Sequence, residues 1–349
     1  MPFLVTLLLC GGLASIPARA ETVYAAIRLA TLPEGSSPAV RGLNDAGEIV
    51  GSVPRGGGHR GFLLNAGGLQ GIGGLPGSDY SAAFGINNLG EVVGSANTAT
   101  GVRAFRSQRT KGAVALGTLP GDSGSVALAI NQSGQAVGYS SGPTSVRAVV
   151  WTRSGAIQAL PMLRGSDSSR ALANNDRGDV VGVSDTASGP CAVLWAGGAA
   201  RDLGALPGHS ASEALSINDS GEIVGSSGDP AQRHAVLWTP DADIQDLGTL
   251  PGGTWSRAHG VNNLSEVVGT SETSAGNHAF LWTQRAGMQD LNKLVKSRFG
   301  FVLTHAMAIS AEGLILAIGR DEVTDPADAV GRGHDNHELP IIFRLDPVP

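Results

Sequence analysis

The stretch LPGGTWSRAHGVNNLSEVVGT, residues 250–270, decides the fold, because its pattern returns every 43 or 44 residues along the chain. Leu32, Leu75, Leu119, Leu163, Leu206 and Leu250 open six units, and Leu294 opens a decayed seventh. Twelve residues on stand Asn44, Asn87, Asn131, Asn175, Asn218 and Asn262. Three further come Gly47, Gly90, Gly134, Gly178 and Gly221, with Ser265 the one exception; four beyond, Gly51, Gly94, Gly138, Gly182, Gly225 and Gly269 are unbroken. Thirteen more lead to Leu64, Ser107, Trp151, Trp195, Trp238 and Trp282. Six units stay in register without a gap, and a fixed period of this size marks a repeat architecture.

Each unit reads as four short strands. In the sixth these are Ser256 to Val261, Glu266 to Gly269, His278 to Trp282 and Met288 to Leu291. The Asn-x-x-Gly between the first two is a hairpin turn, in which the asparagine side chain opens the turn and glycine takes a positive φ. Four strands in about 44 residues is the size of one propeller blade. The first strand alternates small residues (Ala83 and Gly85, Ala127 and Ala129) with larger ones (Phe84 and Ile86, Leu128 and Ile130). Small against large is expected where blades pack face to face. The seventh unit ends on a strand at 341–345 with no fourth strand after it, while residues 22–32 form a fourth-type strand with no unit before it. Joined, the two complete seven blades and remove two open sheet edges. A linear β-solenoid would explain the repeats but not these matched halves. The expected fold is all-β, a single seven-bladed propeller over residues 21–349.

Composition agrees. Hydrophobic residues make up 42% of 349 and charged residues 15%, enough to bury a core and too few for a disordered chain. The 51 glycines fit a protein with many turns. Net charge is −6 with no basic runs, which argues against nucleic acid or an anionic membrane surface as partner. Residues 1–20, MPFLVTLLLCGGLASIPARA, read as a signal peptide: an apolar run over 3–14, then Ala18-Arg19-Ala20 in the small-x-small form. The run is too short for a bilayer span, and no other segment is a transmembrane candidate. With Cys10 in that segment, Cys191 is alone and no internal disulfide is available.

At these residues the chain resembles the HAF family of extracellular repeat proteins. The family's His-Ala-Phe phrase stands as His278-Ala279-Phe280 and, softened, as His234-Ala235-Val236. The phrases at 247–253, LGTLPGG, and 86–94, INNLGEVVG, are similar to that family too. The resemblance covers residues 22–349 and implies export from a bacterium. It carries no activity and no catalytic residues, and units one, two and seven lack its histidine and tryptophan.

Residues repeated in every unit read as scaffold, since one active centre does not need six copies. That takes in the asparagines, glycines and tryptophans, and the serines Ser81, Ser125, Ser169, Ser212 and Ser256. The slot holding Arg60, Arg103, Arg147, Cys191, His234 and His278 cannot be a metal ring, because arginine does not ligate. What is left after subtracting the repeat lies in the loops entering each first strand. Tyr80 and Trp255 are aromatics at one loop position, with Asp79, Asp122, Asp167 and His209 in equivalent loops. In a propeller these loops gather on one face, where aromatics among carboxylates suit a sugar or a peptide. The sequence therefore reads as a secreted, non-enzymatic propeller binding a glycan or protein ligand through Tyr80, Trp255, His209, Asp79, Asp122 and Asp167. The competing reading is a polysaccharide hydrolase or lyase using Asp122 and Asp167 as a carboxylate pair. No cofactor motif is present, and His334 and His337 in the insertion at 320–338 are expected to form a solvated loop without metal.

Overall fold

The protein is described by a computed structural model covering residues 22–31, 39–108, 111–240, 244–296, 300–322 and 340–348. The predicted signal peptide and most of the 320–338 insertion, with His334 and His337, lie outside the described residues.

Seven four-stranded antiparallel sheets follow one another in a ring, six of them built from consecutive strands. Blade two is typical, with Ser81–Ile86, Val92–Thr98, Gly101–Gln108 and Gly112–Ala115 running from the axis outward. Each first strand packs against the first, second and third strands of the preceding blade, and the first strands of blades one and seven meet to close the circle. A single helical turn, Leu291–Leu294, leads into blade seven.

Blade seven is made from both ends of the chain. Phe301–Ile309, Ile315–Asp321 and Ile341–Val348 are completed by Val23–Thr31, paired antiparallel from Val23 opposite Val348 to Thr31 opposite Ile341. Tyr24 is fully buried in this seam, and Arg28 reaches Asp321 at 2.9 Å on its surface. The pairing expected from the two unmatched halves is present.

The turns bind the blades to each other. In blade four the Asn175 side-chain oxygen accepts from the Asp179 amide at 2.9 Å, holding the turn as the sequence predicts. Its amide group does something the sequence did not reveal: it donates to the Asn218 carbonyl of the next blade at 3.1 Å. The same bridge recurs from Asn44, Asn87, Asn131, Asn218 and Asn262, so one residue type serves its own turn and the neighbouring one. The recurring serines are likewise internal. Buried Ser81, Ser125, Ser169, Ser212 and Ser256 each accept a strand amide of the preceding blade at 2.8–3.0 Å.

Each first strand carries a bulge, and this corrects the simple alternation read from sequence. Pairing slips between Ala83 and Gly85, Ala127 and Ala129, Ala171 and Ala173, and at the same point in all seven blades. The extra residue is Arg41, Phe84, Leu128, Leu172, Leu215, His259 or Met307. A bulge leaves its extra residue outside the ladder and turns the strand. The large residues therefore line the axial channel, while the small ones, Ala83, Ala127, Ala171, Ala214 and Ala258, are fully buried between blades. Facing them across the ladder are Gly94, Gly138, Gly182, Gly225 and Gly269. A Cβ on any of these would overlap the carbonyl of the residue before the alanine, which accounts for the unbroken glycine series. Blade seven pairs Ala306 with Ala317 and slips a second time between Leu303 and His305, as befits a decayed copy.

Candidate functional site

Two regions of the described residues bear on function: the face carrying the loops into the first strands, and the axial channel beneath it.

On the face, Tyr80 is half-buried and its loop is pinned by Asn97, whose side-chain oxygen accepts from the Asp79 and Tyr80 amides at 3.1 and 2.9 Å. The Asn97 amide in turn donates to the exposed Asp79 carboxylate. The Tyr80 ring lies 6.1 Å from that of His59, tilted by 60°. Next comes Tyr139, whose phenol is pushed up by burial, against the pull of Arg170, with a smaller upward push from Tyr80. The guanidinium of Arg170 sits 5.9 Å above the Tyr139 ring and is paired with Asp185 at 3.2 Å. His59, Tyr80, Tyr139 and Arg170 thus form one row across blades one to four. Tyr139 and Arg170 escaped the sequence reading because each sits inside a strand, where repeats mask single departures.

Trp255, half-buried, lies elsewhere on the same face. Its carbonyl accepts the Glu272 amide at 3.0 Å, and the Glu272 carboxylate holds the Thr254 amide and hydroxyl at 2.9 and 2.7 Å. The Tyr80 loop enters blade two and the Trp255 loop enters blade six, so the two stand as far apart as a ring of seven allows. A ligand touching both must cross the channel mouth. His209 shares a hydrogen bond with Ser227 at 3.1 Å, and its ring meets that of His234 edge-on at 6.4 Å. His234 and His278, in the HAF-like phrases, are tied to Asp246 and Asp290 at 2.8 and 2.9 Å within their own sheets, which is a structural role.

The two candidate catalytic carboxylates have different fates. Asp122 is engaged: Arg147 donates to one oxygen at 2.9 Å and Ser140 to the other at 2.6 Å, and its side chain is 5% exposed. Asp167 is exposed, on a second bulge between Ser166 and Ser168. An acid already holding an arginine and a hydroxyl is poorly placed to donate or accept a proton in a reaction.

The channel holds a cavity of about 330 Å³, at the lower end of the range for small-molecule sites. Of the seven bulge residues around it, five are apolar and two, Arg41 and His259, are not. Arg41 extends along the Phe84 ring, 5.9 Å from its centre, within cation–π range. One tier up, Arg257 pairs with Glu213 at 2.7 Å and Arg233 reaches the same carboxylate at 3.1 Å, where Ser226 also donates at 2.9 Å. Two guanidiniums and a hydroxyl therefore share one carboxylate. Burial, then Arg257, His305, Arg41 and Arg233, pushes the His259 imidazole down to about 3. Burial and Arg257 lower the Arg41 guanidinium as well. Subtracting the repeat nine residues on from the opening leucine of the first six units, where Arg41 and His259 replace apolar neighbours, would have found this site from sequence.

No protein-family model and no curated protein matches the chain. Among solved structures it is similar to a streptogramin B lyase (12% identity, TM-score 0.55, covering 93% of this chain and 98% of that one). An oligogalacturonate lyase from Vibrio parahaemolyticus is similar to the same degree (12%, 0.55, 94% and 99%). Virginiamycin B lyase from Staphylococcus aureus follows (11%, 0.53, 94% and 100%). At such identities the likeness is one of fold, and unrelated functions share this fold.

Proposed function

We propose that this is an exported propeller that binds an extracellular glycan or protein ligand without converting it. Export rests on the signal-peptide pattern of residues 1–20 and on the HAF-like phrases, which favour the extracellular space, with the periplasm as second choice. The observation that carries the binding reading is the row His59, Tyr80, Tyr139 and Arg170, half-buried rings flanked by hydrogen-bonding groups on the loop face. Partly exposed rings next to fixed donors and acceptors stack on sugar faces and grip peptide side chains. Trp255 and His209 extend the same face beyond the channel mouth, with Asp79 and Asp167 as exposed acceptors.

The competing reading, a hydrolase or lyase acting on extracellular polymers, has relatives in fold that are lyases. It is disfavoured by the engagement of Asp122 with Arg147 and Ser140. A glycan array and a panel of extracellular proteins, probed with wild type and with Tyr80→Ala/Tyr139→Ala, test the proposal. We expect retention of one ligand class by wild type and at least a tenfold loss in the variant. New reducing ends or unsaturated sugars released from a polysaccharide would instead establish the enzyme.

A further inference from the structure

We propose that the axial channel is a separate binding site for a small organic anion, an apolar body carrying one carboxylate. The site is independent of the ligand assigned to the loop face. Its two chemical halves are set by the bulge ring. Phe84, Leu172, Met307 and their apolar equivalents offer surface that gains by excluding water from a hydrocarbon or aryl group. Arg41 and His259 interrupt that surface on one side. Among the described residues no carboxylate pairs with Arg41, whose side chain is exposed to the channel. Among the described residues, the carboxylate paired with the channel's Arg257 is Glu213, and its oxygens already hold Arg257, Arg233 and Ser226. The positive charge at Arg41 is therefore unanswered within the described channel.

A guanidinium meets a carboxylate in a planar fork, and the neutral His259 imidazole supplies an N–H donor without adding charge. Burial lowers both groups most, and the further lowering by Arg257 marks a positive potential that an anion would relieve. Phosphate or sulfate alone would answer the charge but leave the five apolar bulge residues unused. The size of the cavity, about 330 Å³, suits a body of a dozen or so heavy atoms, not a polymer.

The test is titration calorimetry on the mature chain with 3-phenylpropionate, its neutral amide, acetate and inorganic phosphate. We expect one phenylpropionate per chain, at least tenfold tighter than the amide, acetate or phosphate. Arg41→Met should weaken the acid about tenfold and leave the amide unchanged, while Arg41→Lys should retain most of the acid's binding. Equal binding of acid and amide, or of acid and phosphate, would overturn the proposal. So would unaltered affinity in Arg41→Met, or no binding of phenylpropionate at about 10 mM, the regime of the weakest specific sites. Should Arg41→Met fail to fold, the comparison of acid, amide and phosphate on wild type still decides. Tyr80→Ala/Tyr139→Ala is expected to leave phenylpropionate binding intact, so failure here and failure of the face reading are distinguishable.

Discussion

The carbonyl of Arg170 occupies the space that a side chain on Gly182 would need. The contact is imposed by the bulge at Leu172, which rotates the first strand of blade four against the second. Gly182→Val must either push that carbonyl away or break the ladder, and overpacking of this kind costs about 1–3 kcal/mol or more. Ala211→Ser, in a loop that tolerates variation, should stay within about 0.5 kcal/mol of wild type. Equal urea midpoints for the two variants would contradict the role assigned to the glycine series.

The asparagine bridges make a second prediction. Asn175→Ala deletes both the acceptor for Asp179 and the donor to Asn218, leaving buried backbone groups unpartnered. A cost of about 2–3 kcal/mol is expected from the two losses. Asn175→Asp keeps the acceptor but removes the donor and sets a second carboxylate against Asp179, so it should cost at least as much. If Asn175→Asp matched wild type in urea denaturation, the inter-blade bond would contribute nothing.

Ser265 is the single departure in the turn glycines and holds φ at +60°, the only positive φ outside glycine among the described residues. Its hydroxyl bonds Glu222 of the previous blade at 2.8 Å. Ser265→Ala and Ser265→Gly both lose that bond, but only glycine relieves the left-handed backbone. Ser265→Gly should therefore be more stable than Ser265→Ala by about 0.5–1 kcal/mol. The reverse order in thermal melts would show that the strain is absent.

The positions of blades, turns and closing strand were legible in the sequence because each depends on local chemistry repeated six or seven times. Asn-x-x-Gly turns, buried tryptophans and the unmatched half-blades left direct marks. The bulge did not, since Arg41, Phe84 and Leu128 look like ordinary alternating strand residues until pairing slips by one. That slip moved the large residues from the blade interface to the channel, and with them a site that periodicity alone assigned to packing. Tyr80 and Trp255 were visible as loop aromatics, but their separation across the ring follows from closure, a long-range property. The Asp122 pair with Arg147 joins a loop to a strand 25 residues on and could not be foreseen from either motif.

His259 offers a pH test. Its folded-state value, about 3, lies below the ordinary 6.5, so the unfolded chain binds the extra proton between those values. The stabilising contribution is complete above pH 6.5 and is lost as pH falls toward 3. Relative to His259→Gln, wild type should lose thermal stability progressively across that window and keep a constant difference above it. A pH-independent difference in Tm would place His259 in solvent and remove the charge crowding from the channel.

Face and channel alike require a closed ring, and the ring is closed by Val23–Thr31 pairing with Ile341–Val348. Removing that strand leaves blade seven with three strands, an open edge and an uncovered Leu345 and Phe343. Blades contact mainly their neighbours, so the loss should spread from the seam. The most direct measurement compares melting temperature and oligomeric state of residues 21–349, the mature chain expected from the signal-peptide pattern, of a chain starting at Pro33, and of a permutant with residues 21–32 placed behind Pro349 through a short linker. The shortened chain should melt markedly lower or associate, and the permutant should regain the Tm and the monodispersity of the mature chain. A shortened chain that is indistinguishable from the mature one in both would contradict closure by the two ends.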